Sequence, residues 1–290
     1  MYKEKRNFKT RVQSYRHLGI WKGKAMGYLK KQEGFNNIFW QVIRSCEQTS
    51  QKVWAGNLFS EGKIILSAMH TPSGFLLLSH GSCTGVHALA KYAIRQKWRF
   101  KGVSGPECLV QQFLDLTNRA KHSLEVVGTR KFKIFQSYFT ERQDPEKIET
   151  SPEFQLGEVK EIDWPRARTW SQKFALESDP PLDVLAIMQM SKKMYSENNL
   201  FTLSDSENNP CAMAGFGRTT DRYRVINMVY VPYEFRRQGV ARELIRQMTK
   251  LARDQGHADC LLFSDWLGEH NLYESIGFKC LGIFIECDLA

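Results

Sequence analysis

The sequence predicts an α+β (mixed α/β) protein of two domains, each a mixed, mostly antiparallel sheet flanked by helices. Three observations carry this. Short runs rich in β-branched and aromatic residues alternate with segments of helical apolar spacing. Both halves of the chain present these in a similar order. A polar stretch with two prolines, residues 141–156, separates the halves as a linker would. The length of 290 residues suits two ordinary domains with sizeable cores. The expected organisation is a basic leader (1–32), a first domain (33–142), a linker (143–156) and a second domain (157–290).

The first half opens with a helical or mixed segment at 33–48, carrying Phe35, Ile38, Phe39, Val42 and Ile43. Strand-like runs follow at Lys52–Ala55, Lys63–Met69 and Gly74–Ser79, divided by Gly and Pro. Gly85–Lys97 reads as a helix with Val86, Leu89, Tyr92 and Ala93 on one face. Lys101–Val103 is a short strand, Pro106 suits the first turn of a helix at Cys108–Leu116, and Leu124–Thr140 is β-rich.

In the second half, Glu158–Ile162 reads as a strand and Trp164–Leu176 and Leu182–Tyr195 as helices. Leu200–Leu203 and Cys211–Phe216 form a hairpin. Tyr223–Val231 is a strand, and Gly239–Asp254 is a helix burying Val240, Leu244, Met248 and Leu251. Cys260–Ser264, a short helix at Asn271–Ser275 and a strand at Phe278–Cys287 complete the chain.

Hydrophobic residues make up 42% and charged residues 25%, which excludes wholesale disorder, collagen and coiled coil. Apolar clusters such as Phe75–Leu78 are strand-sized, so neither a membrane span nor a secretory h-region is expected. Seven scattered cysteines without a C-x-x-C pair argue against a disulfide framework or a zinc site, and for a reduced, cytoplasmic compartment. Cys260, Cys280 and Cys287 fall in strand runs, where buried thiols are inert. No metal is expected.

The net charge is +10, and residues 1–31 hold ten Lys/Arg against Glu4 alone. The favoured reading is a solvated tail or first helix; contact with nucleic acid or anionic lipid is the alternative. Phe8, Val12, Tyr15 and Leu18 have helical spacing, as in a transit peptide, but Lys outweighs Arg and Ser is scarce.

The stretch carrying chemistry runs from Asn227 to Leu244. A strand ends at Pro232, a basic loop comes next, and a helix begins directly after Gly239. A helix start presents unpaired N–H groups and partial positive charge, which suits a phosphate. Gly239 admits close backbone approach, and Ala241 keeps the first turn small. Arg236, Arg237 and Arg242 stand where acids are favoured, a conflict that an anionic ligand would resolve. The stretch has neither G-K-[ST] nor G-x-G-x-x-G.

Arg236-x-x-Gly239-x-Ala241 resembles the Q/R-x-x-G-x-G/A signature of the Gcn5-related N-acetyltransferase (GNAT) family. Asn271-Leu-Tyr-Glu-Ser-Ile-Gly-Phe278 resembles that family's N-x-Y-x-x-x-G-F element. Trp170–Phe174, Val229–Pro232, Phe75–Ser79 and Gly102–Pro106 resemble a bacterial branch of tandem-GNAT acetyltransferases. The resemblance covers about residues 50–290 and implies two tandem GNAT-like domains, the first diverged. That first domain has Ser79-His-Gly-Ser-Cys-Thr-Gly85 in place of the signature, so it is expected to bind CoA weakly or not at all. The loop Ser264–Asn271 departs from the branch, with Trp266, Glu269 and His270.

The resemblance implies acetyl-CoA as co-substrate and an amine as acceptor. Val229, Tyr230 and Val231 would pair with the pantetheine arm. Arg236, Arg237, Gln238, Gly239, Val240, Ala241 and Arg242 would form the diphosphate loop. Tyr273 would be the general acid; its other reading is a packed aromatic over the last strand. Asp265, Glu269 and His270 lie near the same end without a clear general base. A rival function is a CoA-responsive, non-catalytic protein whose basic leader contacts nucleic acid. A third is transfer of longer acyl or aminoacyl groups.

Overall fold

The computed structural model describes residues 10–120, 124–137, 151, 153–269 and 271–290. Residues 1–9 of the leader, Tyr138 and Phe139, most of the expected linker and His270 lie outside the described residues.

Two compact units emerge: Met1–Lys131 with Gly282–Ala290, and Phe132–Leu281. Unit 1 is built from β1 (Arg11–Tyr15), α1 (Leu18–Leu29), α2 (Glu33–Thr49), β2 (Ala55–Ser60), β3 (Lys63–His70), β4 (Phe75–Leu78), α3 (Cys83–Arg95), β5 (Gly102–Pro106) and α4 (Glu107–Arg119). Its sheet runs β1-β2-β3-β4-β5, and among the described residues only the β4–β5 pair is parallel. Phe284–Asp288 of the final strand, β12 (Phe278–Leu289), pairs antiparallel with β5 and completes it. Leu66, Leu76, Val86, Phe113 and Ile285 lie in its core.

Unit 2 takes β6 (Val126–Ser137) from Phe132 onward and continues through β7 (Gln155–Glu158), α5 (Trp164–Glu177), α6 (Val184–Ser196), β8 (Leu200–Ser204), β9 (Pro210–Thr219), β10 (Tyr223–Tyr230), α7 (Val240–Asp254) and β11 (Asp259–Ser264). Lys133–Gln136 of β6 pairs with β11, and β10, β9, β8 and β7 follow in turn. Among these pairs of described residues, only β10–β11 is parallel. Helix α7 covers one group of core residues, including Phe135, Phe216, Ile226 and Leu262. Helices α5 and α6 cover another, including Met213, Met228 and Tyr230. Each unit is thus a mixed, mostly antiparallel sheet with flanking helices, the class read from the sequence.

Five local expectations need correction. The strand expected at Lys52–Ala55 lies later, at Ala55–Ser60, where β1 and β3 pair with it. The spacing of Val12, Tyr15 and Leu18 suggests a helix, but Arg11–Tyr15 is a strand held along its length by β2. The strand expected at Glu158–Ile162 lies earlier, at Gln155–Glu158, where β8 pairs with it; Glu161–Asp163 is a 3-10 turn. The short helix expected at Asn271–Ser275 is a 3-10 turn at Glu274–Ile276. Cys280 is exposed, although Cys260 and Cys287 are buried, because alternate residues of β12 face opposite ways.

The compact units also cross the boundary expected from composition. Residues 282–290 lie in unit 1, and β6 from Phe132 lies in unit 2. Backbone pairing between distant strands decides membership, and local composition carries no record of it.

Candidate functional site

Strands β10 and β11 pair from Tyr223 and Asp259 as far as Ile226 and Leu262. Beyond Ile226 that ladder stops, while β10 remains paired with β9 as far as Tyr230. The register with β9 shifts between Asn227 and Tyr230, and Met228 takes a left-handed φ of 54°. The Met228 N–H donates to the Asn227 side-chain oxygen at 2.8 Å instead of a neighbouring strand. An irregularity of this kind bends a strand and re-aims its remaining residues.

After Pro232 comes a 3-10 turn, Tyr233–Phe235, and then Arg236 in extended backbone. Arg237 has φ 63° and Gly239 φ 82°. Helix α7 starts at Val240 without a side-chain cap. Its first backbone bond is from the Glu243 N–H to the Gly239 carbonyl, so the preceding amides have no acceptor within the helix. A Cβ built on Gly239 would meet nothing within 4 Å. The approach to this helix start is therefore open.

A cavity of about 320 Å³ lies there, lined by Val231, Phe235, Arg236, Arg237, Gly239, Val240, Ala241, Arg242 and Leu272. Seven sequence-predicted residues thus share one cavity wall. Val229 is half-buried and packs against the unit core. Tyr230 is buried, and exposed Gln238 donates to the Glu234 carbonyl at 2.8 Å. Glu243, in the first turn, turns inward and accepts from the Ser151 N–H at 3.0 Å and from Gln247 at 2.8 Å. Its charge is used by the fold, which leaves the outer face of the helix start basic.

Sequence reasoning passed over Glu177, the last residue of α5. Its Oε1 accepts from the Tyr230 hydroxyl at 2.9 Å, and its Oε2 pairs with Arg236 Nη2. Partial burial pulls the carboxylate up, but bonds from Arg236 and Tyr230 outweigh it and hold the pKa below the ordinary value. Burial first, then the bond to Glu177, push the Tyr230 phenol up to about 12. Arg236 Nε also donates to the Val231 carbonyl at 2.8 Å. The pair is partly exposed, 43% on each side chain, so by itself it adds at most about 1 kcal/mol. Its effect is geometric.

Tyr273 stands before the 3-10 turn, its ring 5.5 Å from Phe135 and 6.2 Å from Phe278. The Asn271 side chain accepts from its N–H at 2.8 Å, and its carbonyl accepts from the Phe278 N–H at 3.0 Å. Among the described residues, no group hydrogen-bonds its hydroxyl. Burial first, then the Asp265 carboxylate, push the phenol up to about 12, so it is protonated at neutral pH. Among the described residues, no cluster of three or more His, Cys, Asp or Glu could hold a metal ion, and no helix is long and apolar enough to cross a membrane.

Residues 197–280 match the family described as acetyltransferase (GNAT) domain. N-acetyltransferase 8 of Homo sapiens is 32% identical over 107 residues, which are 34% of this chain and 47% of that protein. The chain thus spans about half the length of that relative. A GNAT-family acetyltransferase from Colwellia psychrerythraea superposes with a TM-score of 0.56 at 12% identity, covering 97% of this chain and 100% of that one. A GCN5-related N-acetyltransferase from Sphaerobacter thermophilus gives 0.59 at 13%, covering 95% and 94%. At such identities the two structures speak to fold alone. The open helix start and the split between β10 and β11 both fall within residues 197–280, the segment that matches the GNAT acetyltransferase domain.

Proposed function

We propose that unit 2 transfers an acetyl group from acetyl-CoA to a primary amine by direct attack. The observation that carries this is the uncapped start of α7, opening on a cavity lined by three arginines. The first-turn amides of α7, with Arg237 and Arg242 beside them, suit a diphosphate. Beyond Ile226, the edge of β10 no longer meets β11, which leaves room for the pantetheine arm against Val229–Val231.

Acetyl-CoA, when bound, supplies the activated thioester. The chain must orient it, polarise its carbonyl and give the departing sulfur a proton. A backbone N–H of Val229–Val231 serves the second need. Tyr273 serves the third, since its hydroxyl is protonated and without a partner among the described residues. No metal enters the scheme. The non-catalytic rival with a nucleic-acid leader is not favoured, because Arg11–Tyr15 and Leu18–Leu29 of the basic run are folded elements of unit 1.

Calorimetric titration of acetyl-CoA, followed by release of free CoA with a panel of primary amines, tests the reading. One site per chain and amine-dependent release are expected. Absence of binding would overturn it.

A further inference from the structure

We propose that Glu177 is a positioning residue for the pantetheine side of this site, with Arg236 acting as a strut between α5 and β10 rather than as a phosphate ligand. The inference rests on the acyl-CoA reading above.

Three contacts converge on one carboxylate and one guanidinium. Glu177 takes the Tyr230 hydroxyl on one oxygen, at 2.9 Å, and Arg236 on the other. The same guanidinium donates through Nε to the Val231 carbonyl at 2.8 Å and lies 5.8 Å from the Tyr230 ring. The end of α5 is thereby tied to both Tyr230 and Val231, the last residues before the loop turns at Pro232. The tie reaches the segment proposed to face pantetheine from a helix that carries none of the predicted site residues.

The same contacts sort the arginines around the cavity. Arg236 is neutralised by Glu177 and directed at a backbone carbonyl. Arg237 and Arg242 make no ion pair among the described residues, and Arg242 only reaches the Ser275 hydroxyl at 3.4 Å. The unpaired positive charge facing an anion therefore belongs to Arg237 and Arg242. Arg236, the first residue of the signature, has a different role. It holds the Val231 peptide in one orientation, so that the strand edge is set before a thioester arrives.

The test compares acetyl-CoA with S-acetyl-pantetheine, which lacks the diphosphate, on wild type, Glu177→Ala, Glu177→Gln and Arg242→Gln. Affinities are read by calorimetry and by displacement. Glu177→Ala is expected to weaken both thioesters equally, by about tenfold, the scale of one lost charge-assisted bond. Glu177→Gln keeps an acceptor for Tyr230 and should fall between. Arg242→Gln should weaken acetyl-CoA alone. A second measurement needs no ligand: amide exchange across residues 231–239 should quicken in Glu177→Ala. Unchanged exchange, or a loss confined to acetyl-CoA, would overturn the strut. A wild type that binds neither thioester would overturn the acyl-CoA reading itself, while the exchange result still decides whether Glu177 fixes the loop.

Discussion

The chain turns from strand into helix at two corresponding places, and the two turns treat their polar groups in opposite ways. In unit 1, after β4, Gly81 is pressed against the Ile65 carbonyl, which a Cβ would meet at 2.6 Å. The Ser82 N–H donates to that carbonyl at 2.8 Å, and the Ser82 hydroxyl caps α3 by accepting from the Thr84 N–H at 3.1 Å. The His80 N–H is taken by Asn36, and its carbonyl by the Tyr28 hydroxyl, each at 2.8 Å. In unit 2, after β10, the helix start has no side-chain cap, and the space beside Gly239 is empty. Arg237 is held there in a left-handed conformation that costs a non-glycine residue about 1–2 kcal/mol. One turn gives its His80, Ser82 and Thr84 amides partners and serves the fold. The other leaves its first-turn amides without a side-chain cap at a cost in strain, the arrangement that an anionic ligand would stabilise.

The largest effect should come from filling the open turn. Gly239→Glu places a carboxylate beside the unpaired amides and a side chain at φ 82°. Acetyl-CoA affinity should fall by at least about 100-fold, or roughly 2.7 kcal/mol. Gly239→Ala adds only strain and should lose much less. Calorimetry on both variants, with circular dichroism to confirm folding, decides it. Equal affinity in a folded Gly239→Glu would remove the phosphate from this turn.

Next is Tyr273→Phe, which keeps the ring against Phe135 and Phe278 and deletes the hydroxyl. Turnover should drop by roughly 100-fold, the lower range for a general acid, with acetyl-CoA affinity nearly unchanged. The sign with pH follows from the upward shift to about 12. The phenol stays protonated below that value, so no alkaline loss of rate below about pH 10 should trace to Tyr273. A rate that survives the substitution would leave Tyr273 as a packed aromatic alone.

The open turn was legible in the sequence because its parts are adjacent. Gly239 and three arginines fall within seven residues at the start of a helix of strong apolar periodicity, and the structure gathers seven predicted residues along one cavity. Helices α2 to α7 were legible for the same local reason, whereas α1 was not delimited and the helix expected at Asn271–Ser275 is a 3-10 turn. The limits appear where the deciding contact is distant. Glu177 lies 59 residues from Arg236, and nothing in its own neighbourhood distinguishes it from any helix-ending acid. The bulge at Met228 depends on β9 and on the point where β11 departs. Residues 282–290 look like the end of the second domain until β5 pairs with them. The strand at Arg11–Tyr15 is hidden by a basic composition that suggests a loose leader.

Gly81→Ala should act in the other direction. The added methyl meets a backbone carbonyl, which cannot step aside as a flexible side chain can. Unit 1 should lose about 1–3 kcal/mol in denaturant titration, with acetyl-CoA affinity unchanged. Loss of binding with no loss of stability would mean that the closed turn, too, holds ligand.

The smallest effect should come from Ser82→Ala, which removes the cap on α3 and nothing else. The expected cost is about 1 kcal/mol, read as a lower melting temperature of unit 1. The Thr84 N–H then resembles the uncapped amides at the start of α7, but Gly81 still presses on the Ile65 carbonyl and the Ser82 N–H still donates to it. Close packing, more than the cap, should therefore keep this turn shut, and calorimetry should still find one acetyl-CoA site per chain. A second site in Ser82→Ala would show that a single hydroxyl separates the closed turn from the open one.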